Sequence, residues 1–290
     1  VASSSSDGVL PVAAMIAAAG DRLVARRREA EVVAAALGAG RNILLEGPPG
    51  TGKTTLLTAL AAGAGLPLVL VEGNAELTPA RLAGHHDPSR VLTEDYHEGN
   101  FVPGPLLRAM TGGALLYVEE LNRIPEETLN LLLGVLSERQ IHLPRVGTVP
   151  AEPTFRLIAA MNPYDAIGTT RITPALYDRS CRVAMGYQDE DAELAIVRAE
   201  TGTDSPLARQ AVRAVRATRT HPEIRVPASV RGAIDTVLVA RELSAIRDTD
   251  DFSLDAALAA LTGRITLVDG NGRTAEEVVT EIWEGSSGKA

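Results

Sequence analysis

Short, continuously apolar runs separated by amphipathic stretches organise the first two thirds of the chain. Ala25 to Gly38 reads as a helix closed by glycine, and RNILLEG as a buried strand. A glycine-rich loop follows and opens a helix over Thr54 to Ala61. Leu66 to Val71 is a second apolar run, ending at Glu72-Gly73; Ala114 to Val118 is a third, Phe155 to Met161 a fourth and Arg182 to Met185 a fifth. Pro125 opens a helix whose Leu129, Leu132, Leu133 and Leu136 fall on one face. Strands this apolar are buried on both sides, so their alternation with helices predicts a parallel sheet covered on either face.

From about Gln188 the texture changes. Asp189 to Glu200, Ser205 to Thr218, Ala228 to Ser244 and Leu254 to Leu261 all read as helices, which predicts a small helical domain. Two stretches break the pattern. Asn74 to Pro105 is polar and rich in Gly and Pro and reads as a long insertion, while the Ser-rich start reads as a frayed tail. A hairpin is expected around Asp269-Gly270-Asn271-Gly272, then a last helix from Thr274 to Trp283; there is no internal repeat.

Composition narrows the class. The 290 residues, 45% of them apolar, suffice for a large domain with a small companion and exclude whole-chain disorder. Net charge is 28 − 37 = −9, opposite to the basic balance of duplex-binding domains, which disfavours nucleic acid as a partner. The lone Cys181 forms no internal disulfide and reads as a core or interface filler in a reducing compartment. No apolar run approaches the ~20 residues of a membrane helix. Val9 to Ala19 follows SSSSDG without the basic flank of a signal peptide, so a soluble, cytoplasmic protein without membrane attachment is expected.

Gly47-Pro48-Pro49-Gly50-Thr51-Gly52-Lys53-Thr54 fits the pattern G-x-x-x-x-G-K-[ST] between a strand and a helix, with Thr55 behind it. Backbone N–H groups and a helix N-terminus surround a phosphate chain there; Lys53 reaches the β and γ oxygens and the Thr54 hydroxyl can ligate Mg²⁺. A phosphate loop alone does not separate hydrolysis from binding. Leu115-Leu116-Tyr117-Val118-Glu119-Glu120, a buried strand ending in two acids, supplies the rest: the first acid steers Mg²⁺ through its water shell, and the second polarises the attacking water.

GPPGTGKT, FVPGPL, LLYVEELNRIP, the helix ending LSERQ, FRLIAAMNP, PALYDRS and PASVRGA together resemble, in order and spacing, the MoxR-type AAA+ ATPases, over roughly Arg41 to Ala240. Magnesium chelatase ATPase subunits and the GTP-using McrB-like proteins belong to the same wider group, whose helix-2 insertion matches residues 74–105. The resemblance implies a P-loop NTPase αβα sandwich (AAA+) over residues 1–187 and a C-terminal helical lid with its tail over 188–290. It implies ATP and Mg²⁺ as cofactors, a homo-oligomer that is usually a hexameric ring, and chaperone-like work on a von Willebrand factor A domain protein or another protein client. Residue by residue, Glu120 matches the water-activating acid, Asn162 the sensor-1 amide, Arg179 the arginine finger reaching a neighbour's nucleotide, and Arg231 the sensor-2 arginine of the lid. The chain departs from the family with Glu119 where Asp is usual and Ser180 where Phe is usual.

Each of these residues also has a plain structural reading. Asn162-Pro163 can be a loop starter, Asp178-Arg179 a local salt bridge and Arg231 an ordinary first-turn arginine. Other features carry less. Adjacent side chains in His85-His86-Asp87 diverge, so a polar loop is preferred to a metal cluster. Arg209, Arg213, Arg216, Arg219 and Arg225 read as a solvated face, because aromatic residues make up only 3% of the chain and single-strand binding needs stacking platforms. The residues with the resemblance therefore imply an ATP hydrolase that remodels a protein partner, with a GTP-using motor and a scarcely hydrolysing, ATP-gated assembly module as alternatives.

Overall fold

A computed structural model describes residues 8–20, 22–94, 98–162, 173–247, 252–270 and 272–287. The Ser-rich start (residues 1–7), Tyr96 and His97 of the insertion, Pro163 and Asn271 lie outside the described residues. The chain divides into two compact units. One comprises Val1–Pro48 with Gly52–Gly186, the other Tyr187–Ala290 with the loop residues Pro49–Thr51.

In the first unit the elements run α1 (Val12–Gly20), α2 (Arg27–Gly38), β1 (Asn42–Glu46), α3 (Lys53–Ala64), β2 (Leu68–Glu72), α4 (Pro79–Ala83), β3 (Gly84–His86), α5 (Pro88–Glu94), β4 (Phe101–Pro103) and α6 (Pro105–Thr111). They continue with β5 (Leu115–Glu119), α7 (Glu126–Glu138), β6 (Gln140–Leu143), β7 (Gly147–Pro150), β8 (Arg156–Met161), α8 (Pro174–Asp178) and β9 (Ser180–Ala184). Five strands form one parallel sheet in the order β2-β5-β8-β1-β9. Alternate residues of each strand feed opposite faces. Leu44, Leu116, Val118, Leu157 and Ala159 join one core with α6 and α7, while Ile43, Leu45, Leu115, Tyr117 and Ile158 join another with α1, α2 and α3. This is the αβα sandwich of a P-loop NTPase.

Several local readings change. α1 has no counterpart in the sequence reading because its Ala-rich stretch VAAMIAAAG has no polar face to give a period. Met15 and Ala19 nevertheless bury completely, and α1 packs so closely on α3 that a Cβ on Gly63 would meet Ala14 O at 2.6 Å. Pro125 is the N-cap of α7 and not its first residue. The insertion is structured: Thr78 caps α4, β3 pairs antiparallel with β4, and the His86 ring meets Phe101 edge-on at 5.1 Å. β6 and β7, polar and short, form an antiparallel hairpin that no apolar run announces. Cys181 is exposed and so is not a core filler; it lies near the start of β9, an edge strand paired with β1 alone.

The second unit holds α9 (Glu190–Thr201), α10 (Pro206–Thr218), β10 (Ile224–Val226), α11 (Val230–Ile246), α12 (Phe252–Leu261), β11 (Thr266–Leu267) and α13 (Ala275–Ser286) around Val197, Val212, Val215, Leu261 and Trp283. β11 pairs with the distant β10 instead of closing a hairpin around residues 269–272, a contact set by tertiary packing. The arginines of α10 are not simply a solvated face. Arg219 and Arg216 hold the buried Glu193 at 2.6 and 3.2 Å, and the Arg219 guanidinium lies 3.9 Å from the centre of the Tyr187 ring. Arg209 and Arg225 pair with Asp204 and Asp269. Among the described residues no helix is long and apolar enough to cross a membrane.

Candidate functional site

Strand register assembles the site. Met161, the last residue of β8, lies opposite Glu46 at the end of β1, and Gly47 N–H donates to Met161 O at 3.1 Å. Asn162 therefore leaves the sheet beside the start of the phosphate loop. β5 lies on the other side of β8 with Val118 opposite Ala159, so Glu119 and Glu120 emerge at the same carboxyl edge of the sheet. Open parallel sheets bind their ligands at that edge.

The loop has the geometry its glycines suggest. Gly50 and Gly52 take φ of +73° and +86°, and Gly52 caps α3 from the left-handed region. At Gly47 a Cβ would stand 2.1 Å from Met185 O, a clash no side chain survives. The Lys53 ammonium donates to Gly47 O and Pro48 O, both at 2.8 Å, so its charge is folded back over the loop it serves. Pro48, Pro49 and Thr51 complete the turn, and Thr55 lies in the first turn of α3.

The Thr54 hydroxyl donates to Glu119 Oε1, which joins the phosphate loop to the end of β5. Beneath them lies Tyr117, a residue the sequence reading took only as part of the strand. Its side chain is fully buried, and its hydroxyl neighbours Glu119 and Thr54 without a hydrogen bond of normal geometry to either. Burial, then the neighbouring Glu119 carboxylate, pushes the phenol far above its ordinary pKa, so it stays protonated. Hydroxyl and carboxylate oxygens are hard ligands of the kind Mg²⁺ takes alongside water and phosphate. Among the described residues no three His, Cys, Asp or Glu side chains stand together as a metal cage.

Glu120 adopts φ +49°, ψ +43°, a left-handed conformation uncommon outside glycine and frequent at working sites. Its Oε2 pairs with Arg123 Nε at 3.1 Å, and the side chain is 44% exposed. Gly73 makes this turn possible: its N–H donates to Glu119 O at 2.9 Å, and a Cβ there would meet Glu120 O at 2.5 Å.

Arg179 caps α8 and faces its own chain. It donates to Ser137 Oγ and, at 3.0 Å, to Ala175 O, with Asp178 3.9 Å away. The local salt bridge is thus present in the single chain, and it is loose. Arg231 stands exposed in the first turn of α11 in the second unit. A further group was invisible in the sequence: the buried Glu46 carboxylate, immediately before the loop, accepts from Tyr177 Oη at 2.9 Å and from Arg182 Nε. Burial and then Glu46 raise the Tyr177 phenol above its usual range.

With this geometry in place, comparison with known proteins is direct. Residues 42–180 match the family model of the AAA domain, dynein-related subfamily. The gas vesicle ATPase GvpN of Ancylobacter aquaticus is 31% identical over 220 residues, which cover 70% of this chain and 62% of that protein. The chain spans about three fifths of the length of the first curated relatives it matches, 62% and 61%. A crystal structure from Cytophaga hutchinsonii shares the fold at TM-score 0.53 and 22% identity, covering 94% of this chain and 93% of that one. NtrX from Brucella abortus, in complex with ADP, shares it at TM-score 0.55 and 21% identity, covering 87% and 59%.

Proposed function

We propose that the chain is a MoxR-like AAA+ ATPase that binds MgATP, hydrolyses it and uses the cycle to remodel or activate a protein partner. The observation that carries this reading is the bond from the Thr54 hydroxyl to Glu119, with Glu120 turned out at the same strand end. Binding alone requires only the loop; a second acid at the carboxyl edge is what hydrolysis adds. The AAA domain match over residues 42–180 and the similarity to a gas vesicle ATPase support nucleotide hydrolysis.

In this reading the loop amides and Lys53 hold the phosphate chain, and Thr54 and Glu119 hold Mg²⁺, which when bound neutralises charge on the β and γ oxygens. Glu120 takes the proton of the attacking water, and Asn162 keeps that water in line. Arg179 of a neighbouring subunit stabilises the developing charge, and Arg231 couples the helical unit to the nucleotide. Arg179 would leave Ser137 and Ala175 to do so. The working form is then a homo-oligomeric, hexameric ring, and the client a von Willebrand factor A domain protein or another protein.

Steady-state phosphate release with ATP and with GTP, in Mg²⁺, tests the proposal. Turnover of ATP in preference to GTP is expected. GTP preference would favour the McrB-like motor, and tight binding with no turnover of either nucleotide would favour the assembly module, to which the unusual Glu119 points. Proteins retained by the Glu120→Gln form in ATP would identify the client.

A further inference from the structure

Tyr117 presents an unsolved problem. A phenol hydroxyl withdrawn from water costs free energy unless it is hydrogen-bonded, yet this one is buried beside Glu119 and Thr54 with no hydrogen-bond partner of normal geometry. Its position is not accidental to the site. Leu115, Tyr117 and Glu119 alternate along β5 onto one face, and Tyr117 shares one buried core with Leu56, Leu57 and Leu60 of α3, the helix whose first turn holds Thr54. The ring is thereby fixed between the two elements that carry the metal-directing pair. One oxygen of Glu119 is taken by Thr54. A glutamate has one more torsion than an aspartate, so a single donor leaves its carboxylate free to swing.

We propose that Tyr117 is a positioning residue for the cation: its O–H is a second donor to Glu119, restricting the longer carboxylate to the orientation in which it faces the metal's water shell. The hydroxyl completes its hydrogen bond as the carboxylate takes up that orientation. This rests on the reading of Glu119 as the metal-directing acid.

The probe is Mn²⁺, titrated by electron paramagnetic resonance into the ADP-loaded protein. Tyr117→Phe should weaken Mn²⁺ affinity by about 5- to 10-fold, the order expected for one hydrogen bond to a charged group. ADP affinity in EDTA should stay unchanged, and the melting temperature of the nucleotide-free protein should not fall, since only an unmatched hydroxyl is lost. In a Glu119→Asp background the carboxylate is withdrawn from the phenol, so Tyr117→Phe should change Mn²⁺ affinity by at most about 2-fold, as a double-mutant cycle reports. A lower melting temperature with unchanged Mn²⁺ affinity, or failure of Tyr117→Phe to fold, would make the hydroxyl structural and overturn the proposal. Glu119→Ala separates the two levels. If it weakens Mn²⁺ while Tyr117→Phe does not, only the clamp is wrong; if Glu119→Ala changes nothing, the assignment of the metal-directing acid fails as well.

Discussion

The Tyr177 hydroxyl donates to the Glu46 carboxylate at 2.9 Å, and so the residue just before the phosphate loop is tied to the short helix that Arg179 caps. Arg182 supports the same carboxylate from β9. Tyr177→Phe should leave the Arg182 pair intact and cost about 1 kcal/mol, the usual net worth of one hydrogen bond. The urea midpoint of the nucleotide-free protein measures it; an unchanged midpoint would show that the bond adds nothing.

Lys53→Ala removes a charge that reaches back over Gly47 and Pro48. MgATP affinity should fall by roughly 10- to 100-fold, because a charge-assisted contact to phosphate is lost. The fold should survive, since the two cores do not include this side chain. Calorimetry with unchanged affinity would remove the loop from the site.

The two acids should fail differently. Glu120→Gln keeps shape but cannot take a proton, so ATP should bind and turnover should drop by at least ~10². Glu119→Gln should raise the Mg²⁺ concentration needed for half-maximal turnover. Turnover abolished by Glu119→Gln at saturating Mg²⁺, but retained by Glu120→Gln, would reverse the assignment.

Arg179→Ala should bind ATP almost normally, because in the finger role proposed for Arg179 its contact matters for charge that develops in the transition state. Lys53→Ala should neither bind well nor hydrolyse. In a subunit-exchanging mixture some sites pair an intact loop from one chain with an intact finger from the other, and ATPase activity should recover. Light scattering confirms that mixed assemblies form; no recovery at any mixing ratio would mean that Arg179 does not act across subunits.

Arg156 is a purely structural test. Its buried guanidinium donates to Leu37 O at 3.0 Å, Pro153 O at 2.6 Å, Phe155 O at 2.8 Å and Gly8 O at 3.2 Å. Burial, and then Arg139, lower its pKa. Arg156→Ala should strip these carbonyls of their donor and destabilise by about 2–4 kcal/mol, seen as a lower denaturation midpoint.

What the sequence disclosed was local. The phosphate loop is contiguous, and β5 announces itself because Leu115 to Val118 are apolar and two acids follow directly. Tyr117 was hidden inside that same run: an aromatic residue in a strand reads as core, and the place where its hydroxyl ends depends on α3, packed from elsewhere in the chain. Glu46 was hidden for a similar reason, since its partners Tyr177 and Arg182 arrive only when β9 pairs with β1. α1 escaped because an all-apolar helix has no period, and β10 with β11 because their pairing spans much of the helical unit.

The carbonyls of Glu119 and Glu120 crowd the spot where Gly73 would carry a side chain. A residue with no functional group thus leaves room for the backbone on which both acids leave the sheet. Any larger residue at position 73 would displace the pair in a single movement and, in the roles proposed for the two acids, would misplace cation and water at once. An unbiased screen for lost turnover should therefore find position 73 as intolerant as the acids themselves, and its variants should resemble the loss of both carboxylates more than the loss of either.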